Sequence, residues 1–242
     1  SSLEYGRIVK KDEISDEERN LIAVIDYGMG NLRSVSKALE KVGGEAEVVH
    51  KAEGIEKAEA LVLPGVGAFS QAMENLRSLG MVKPLRQAMG NGKLFLGICL
   101  GLQLLFTESE EGECAGLDII PGKVKKFKVE GLKVPHMGWN GIRFKVESLK
   151  FKDNKDNKDK NSHLSLLEGI PEGSYFYFAH SYYVEPEDKG VILATTEYGI
   201  KFTSAIRKAN TFGVQFHPEK SGEKGLELLK NFVRLVKGGS GG

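Results

Sequence analysis

Five residues, Gly97-Ile98-Cys99-Leu100-Gly101, close the apolar run Lys93–Ile98 and precede a helical stretch, Leu102–Phe106. Together they leave few folds open. A short apolar run without polar alternation reads as a strand buried on both faces, which requires a mostly parallel sheet covered by helices. A Gly-x-Cys-x-Gly turn between strand and helix is the cysteine form of the nucleophile elbow. Its glycines let the backbone turn sharply and leave the Cys99 side chain clear of the sheet. The helix start behind it offers unpartnered N–H groups and a positive dipole end, and both favour the thiolate. The plainer alternative is a structural cysteine packed as a small hydrophobe. Two glycines at matched spacing favour the nucleophile.

The surrounding sequence fits that fold. Leu21–Asp26, bounded by Gly28 and Gly30, predicts a buried parallel strand. Over Asn31–Val42, Leu32, Val35, Leu39 and Val42 recur at helical spacing until Gly43-Gly44 ends the element. Further strands are expected at Ala46–His50 and Ala60–Leu63, and helices at Ser70–Ser78 and Pro84–Met89. Beyond about residue 120 the segments Lys123–Val129, Gly141–Val146, Ser174–Phe178, Val191–Thr196, Phe202–Arg207 and Thr211–Phe216 are rich in β-branched and aromatic residues. A last amphipathic helix, Glu223–Val236, places Leu226, Leu229, Phe232, Val233 and Val236 on one face. The fold class is α/β: a mostly parallel open sheet flanked by helices, with an added antiparallel layer.

A chain of 242 residues supports one good-sized core. That core is expected over 21–236. Residues 1–20 read as a flexible extension, in which Ser15-Asp16-Glu17-Glu18 has capping-box spacing, and 237–242 as a Gly/Ser linker-like tail. Residues 147–161 form a charged low-complexity insertion that cannot bury enough apolar surface to order itself. Lys plus Arg (34) and Asp plus Glu (33) leave a net charge of +1, which gives no electrostatic attraction to nucleic acid or an anionic membrane. No apolar run approaches the ~20 residues of a membrane span, and the first residues lack a signal-peptide core. With two cysteines and no CxxC pair, neither a disulfide framework nor a cysteine zinc site is expected. The expectation is a cytoplasmic protein without metal or cofactor.

A cysteine nucleophile needs a base. His217 ends Val214-Gln215-Phe216-His217-Pro218-Glu219, and if strand alternation persists there, His217 and Glu219 project to one side. The carboxylate then holds one imidazole nitrogen and aims the other at the thiol. His180 is the rival base but has no carboxylate two residues away. His50, His136 and His163 read as structural or surface residues, and Cys114, in Glu113-Cys114-Ala115-Gly116, as structural. Acyl chemistry also needs oxyanion donors. Pro64-Gly65-Val66-Gly67, after the strand Ala60–Leu63, has the permissive backbone to direct an N–H there, with the Leu100 amide as second donor.

Taken in order, Pro64-Gly65-Val66-Gly67, Gly97-Ile98-Cys99-Leu100-Gly101-Leu102-Gln103 and Gln215-Phe216-His217-Pro218-Glu219 resemble the class I, triad-type glutamine amidotransferases. Asp26-Tyr27-Gly28-Met29-Gly30-Asn31-Leu32, Pro135-His136-Met137-Gly138-Trp139-Asn140 and His217-Pro218-Glu219-Lys220-Ser221 are similar to the glutaminase subunits of imidazole glycerol phosphate synthases. The resemblance covers about 21–236 and implies a flavodoxin-like fold. It implies a triad of Cys99, His217 and Glu219, oxyanion amides at Val66 and Leu100, and glutamine contacts at Gly67, Gln103, Glu111, Ser181 and Tyr182. It further implies a separate (β/α)8-barrel cyclase as partner in a heterodimer, docked through Asn31, Trp139 and Lys220, with glutamine hydrolysis nearly idle until that partner holds its nucleotide. The extension and the charged insertion depart from the family pattern. Alternatives are a glutaminase for anthranilate, aminodeoxychorismate, guanylate or pyridoxal phosphate synthesis, a cysteine hydrolase on a similar fold, and a catalytically silent binding subunit.

Overall fold

The computed structural model describes residues 20–145 and 166–239. Residues 1–19, the charged insertion 147–161, His163 and residues 240–242 lie outside the described residues.

The first half is built of parallel strands with helical crossovers. β1 (Leu21–Ile25) leads through α1 (Leu32–Lys41) to β2 (Glu45–Val49), and α2 (Ala52–Lys57) to β3 (Ala60–Gly65). After α3 (Phe69–Ser78) and α4 (Val82–Gly90) come β4 (Leu94–Cys99) and the single-turn α5 (Leu100–Gln103). Then follow β5 (Phe106–Ser109), β6 (Cys114–Ala115), β7 (Ile120–Lys126), β8 (His136–Gly141) and β9 (Arg143–Phe144). The remainder is β10 (Tyr175–His180), β11 (Tyr182–Pro186), β12 (Ile192–Tyr198), β13 (Ile200–Lys208), β14 (Thr211–Val214) and α6 (Gly222–Gly239).

The main sheet runs β2-β1-β3-β4-β14-β13-β11-β7-β5-β6. Its first five strands are parallel, and β13, β11 and β7 continue it in antiparallel pairs. β8 and β10 form a separate antiparallel ribbon. The central strands alternate between two cores. Ile22, Val24, Ala60, Val62, Leu96 and Ile98 face one, packed with α1 and α6 through Leu39, Leu229 and Phe232. Ala23, Ile25, Leu61, Leu63 and Phe95 face the other, packed with α2, α3 and α4 through Ile55, Met73 and Leu85. Burial on both faces explains the unbroken apolar runs in the sequence.

Several sequence expectations need correction. The helix expected over Leu102–Phe106 is one turn, Leu100–Gln103, and Phe106 already starts β5. So short a helix adds little dipole beyond its own first N–H groups. The strand expected at Gly141–Val146 is reduced to β9 and the last residue of β8, and α2, β5, β6, the rest of β8 and β11 are not expected from the sequence. Asn31 is the cap of α1, its side-chain oxygen accepting from the Ser34 amide at 3.2 Å.

Candidate active site

β3, β4 and β14 are adjacent and parallel, so their C-terminal ends form one rim, where ligands bind in open α/β sheets. Cys99 ends β4 directly opposite Gly65. Its backbone has φ +53° and ψ −105°, a conformation that costs a residue with a Cβ on the order of 1–3 kcal/mol. The glycines beside it are required for space. A Cβ on Gly97 would stand 2.6 Å from the Gly101 carbonyl oxygen, and one on Gly101 would fall on the carbonyl oxygen of Leu63. The elbow is therefore pressed against both β3 and its own helix, with the Cys99 sulfur 3.8 Å from the Ala179 carbonyl oxygen.

His217 and Glu219 do come together, though not by strand alternation. β14 ends at Val214, and the two residues lie on a 3-10 turn over Pro218–Lys220. His217 Nδ1 is 2.8 Å from Glu219 Oε1, and both side chains are almost wholly buried. Two bonds tie the turn to β10 and a third closes the turn on itself. The His217 amide donates to the Tyr177 carbonyl at 2.8 Å, the Tyr177 amide donates to Ser221 Oγ at 3.0 Å, and Ser221 Oγ donates to the His217 carbonyl at 2.6 Å. Burial alone would lower the affinity of His217 for a proton. The Cys99 sulfur and the Glu219 carboxylate outweigh it and raise the pKa to about 10. Nε2 completes no hydrogen bond of good geometry, so the sulfur acts on it by proximity and charge. Catalytic contacts of this kind commonly tighten only with substrate bound.

A pocket of about 340 Å³ opens over Cys99. Val66, Gly67, Leu100, Gln103, Glu111, Ser181 and Tyr182, all singled out in the sequence, line it, together with Pro135, Met137, Ala179 and His180. Glu111 reaches back to accept from the Phe69 amide at 2.8 Å, which caps α3 and fixes the carboxylate. His180, the rival base, has both ring nitrogens engaged, by the Tyr182 carbonyl at 2.7 Å and by His136 at 3.0 Å. Burial lowers its pKa to about 3, which disqualifies it as a base near neutrality. His136 is buried, and His50 is a surface residue 2.9 Å from Asp26. Cys114 lies away from the pocket beside Arg77, 3.8 Å from its guanidinium.

Sequence reasoning missed two residues. Gln215, fully buried, donates to the Cys99 sulfur at 3.7 Å and accepts from Gln103 Nε2 at 3.2 Å. Gln103 Nε2 also donates to the Tyr182 carbonyl at 3.1 Å, so one amide chain joins the pocket wall to the sulfur. Tyr177 is the other: the Lys220 ammonium lies 5.9 Å from its ring centre and the Trp139 ring 6.2 Å away. Trp139 and Lys220 thus share a surface cluster, with Trp139 55% exposed, and Asn31 is an exposed residue at the start of α1. Gln215 lies in the same short stretch as His217 and Glu219, but its contact with Cys99 leaves no local trace in the sequence. Among the described residues no cluster of metal-ligating side chains occurs, and no helix is long and apolar enough to cross a membrane.

A strained cysteine at a strand–helix turn, a buried His–Glu pair on the turn after the neighbouring strand and a pocket over the sulfur form an arrangement that can carry out cysteine acyl transfer. Residues 23–236 match the family model described as glutamine amidotransferase class-I. A solved structure described as a glutamine amidotransferase superposes with a TM-score of 0.66 at 21% identity, covering 89% of this chain and 98% of that one. The structure of PurLQS from Thermotoga maritima gives 0.64 at 18%, with 89% and 98% covered. The imidazole glycerol phosphate synthase subunit HisH of Moorella thermoacetica is 51% identical over 217 residues, 89% of this chain and 95% of that protein. The HisH subunit of Aquifex aeolicus is 52% identical over 216 residues, 88% and 96%. The chain belongs to the class-I glutamine amidotransferases and, within them, to the family of imidazole glycerol phosphate synthase HisH subunits.

Proposed function

We propose that the chain hydrolyses glutamine to glutamate and ammonia through a cysteinyl thioester, and passes the ammonia to a separate (β/α)8-barrel cyclase that makes imidazole glycerol phosphate and aminoimidazole carboxamide ribotide in histidine biosynthesis. The observation that carries the reading is the strained Cys99 on the pocket floor with the buried His217–Glu219 pair behind it.

The Cys99 sulfur attacks the carboxamide carbon, and the carbonyl oxygen becomes an oxyanion facing the amides of Val66 and Leu100. Collapse breaks the C–N bond, and the His217 imidazolium gives its proton to the departing amine, which leaves as ammonia. His217, now neutral and held by Glu219, takes a proton from water as it attacks the thioester. Glutamate and the starting enzyme result. The Glu111 carboxylate on the pocket wall suits the α-ammonium group of the substrate.

Glutamate release, measured with and without a cyclase barrel carrying its nucleotide ligand, tests the whole reading. Strong activation by the loaded barrel is expected, as is a loss of more than about 10⁴-fold in Cys99→Ala. Steady hydrolysis without activation would reject the named partner, and unchanged hydrolysis in Cys99→Ala would reject the nucleophile.

A further inference from the structure

Two buried histidines that the reaction does not use form a hydrogen-bond chain whose proton order is dictated by its ends. β8 and β10 pair so that His136 stands opposite His180. His180 Nδ1 lies 2.7 Å from the Tyr182 carbonyl oxygen, which can only accept, so Nδ1 carries the proton. Nε2 of that neutral ring must then accept, and its partner at 3.0 Å is His136 Nδ1, which therefore donates. His136 Nε2 is left as an acceptor and receives Asn140 Nδ2 at 3.2 Å. The Asn140 amide is oriented independently: Oδ1 accepts from the Gly141 amide at 2.8 Å, and Nδ2 also donates to the Glu197 carbonyl at 2.9 Å. Burial keeps both rings neutral, lowering His136 to about 4 and His180 to about 3. Every link has one donor and one acceptor, and reversing the buried His136–His180 link would turn the His180 Nδ1 lone pair against the Tyr182 carbonyl oxygen.

The two ends of the chain lie in different places. Asn140 follows the exposed Trp139 on β8, whereas His180 adjoins Ala179, Ser181 and Tyr182 of the pocket wall. We infer that Asn140, His136 and His180 are positioning residues, a proton-ordered chain through which the exposed strand β8 sets the Ala179–Tyr182 wall of the glutamine pocket. The inference rests on the reading of that pocket as the glutamine site.

Two measurements on the full chain test it. Imidazole ¹⁵N NMR of the wild-type protein should show the Nδ1–H form for both His136 and His180; an Nε2–H form of either ring overturns the chain, and this readout needs no variant to fold. Asn140→Asp keeps the side chain's size but removes the donor to His136. In steady-state glutamine hydrolysis with the partner bound, that variant should raise KM about tenfold while kcat changes less than about threefold. General loosening of the fold would lower the active fraction, and hence kcat, at constant KM. An unchanged KM in Asn140→Asp beside an active wild type overturns the positioning role alone. A wild-type chain that turns over no glutamine with any barrel overturns the functional reading and the positioning role with it.

Discussion

At the residue scale, the protonation of His217 decides what the site can do. A pKa raised to about 10 means that the imidazolium persists through neutral pH and is lost only as pH climbs through that value. Since the leaving amine needs that proton, glutamine hydrolysis should fall as pH climbs above about 10. Glu219→Gln removes the charge that helps hold the proton, so the alkaline fall should move down by a pH unit or more. A pH–rate profile of the two proteins checks it, and an unmoved limb would detach Glu219 from the base. Gln215 supports a second expectation. Gln215→Leu strips the Cys99 sulfur of its amide donor and leaves Gln103 Nε2 one acceptor short. A loss in kcat/KM of about tenfold is expected, the effect of an unmade buried hydrogen bond. Activity within twofold of wild type would show that the sulfur does not need that donor.

At the element scale, the elbow is where sequence and structure agree most closely, because its whole logic is local. Gly97, Cys99 and Gly101 lie within one turn, and the spacing that marks them in the sequence is the spacing the packing demands. Gly101→Ala should destabilise the fold by at least about 2 kcal/mol, since its Cβ would fall on the Leu63 carbonyl and force β3 away from α5. Thermal unfolding measures this, and a Tm within 1–2 °C of wild type, roughly a few tenths of a kcal/mol, would mean that the elbow is looser than it looks. Elements without a local signature were not legible. α2 is only six residues, contains Gly54 and has no side-chain cap. β8 reads His-Met-Gly-Trp-Asn-Gly, with no β-branched residue, and exists because β10 pairs with it. The His217–Glu219 pairing was legible for the wrong reason, since the spacing of two suits a 3-10 turn as well as a strand. Contacts such as Gln215 to Cys99, 116 residues apart, leave no periodic trace at all.

At the scale of the whole molecule, three of the exposed apolar side chains lie at the mouth of the site or on the strand beside it. Val66 and Met137 line the pocket and are 44% and 64% exposed, and Trp139, on the same strand as Met137, is 55% exposed. Trp139 meets Tyr177, whose backbone is bonded to both His217 and Ser221. A partner covering this cluster would therefore press on the strand that holds the base, and ammonia released over Cys99 would emerge beneath it. Trp139 is the chain's one tryptophan, so 5-fluorotryptophan incorporated into this chain alone should give a single ¹⁹F resonance. Adding an unlabelled cyclase barrel should shift that resonance in proportion to complex formed, and Trp139→Ala, which carries no label and is read by titrating the barrel against glutaminase activity, should weaken binding by about tenfold or more, as removal of a buried aromatic anchor does. If the barrel activates glutamine hydrolysis while the resonance stays where it was, docking occurs on another face. The bonds from Tyr177 to His217 and Ser221 would then serve only to hold the turn.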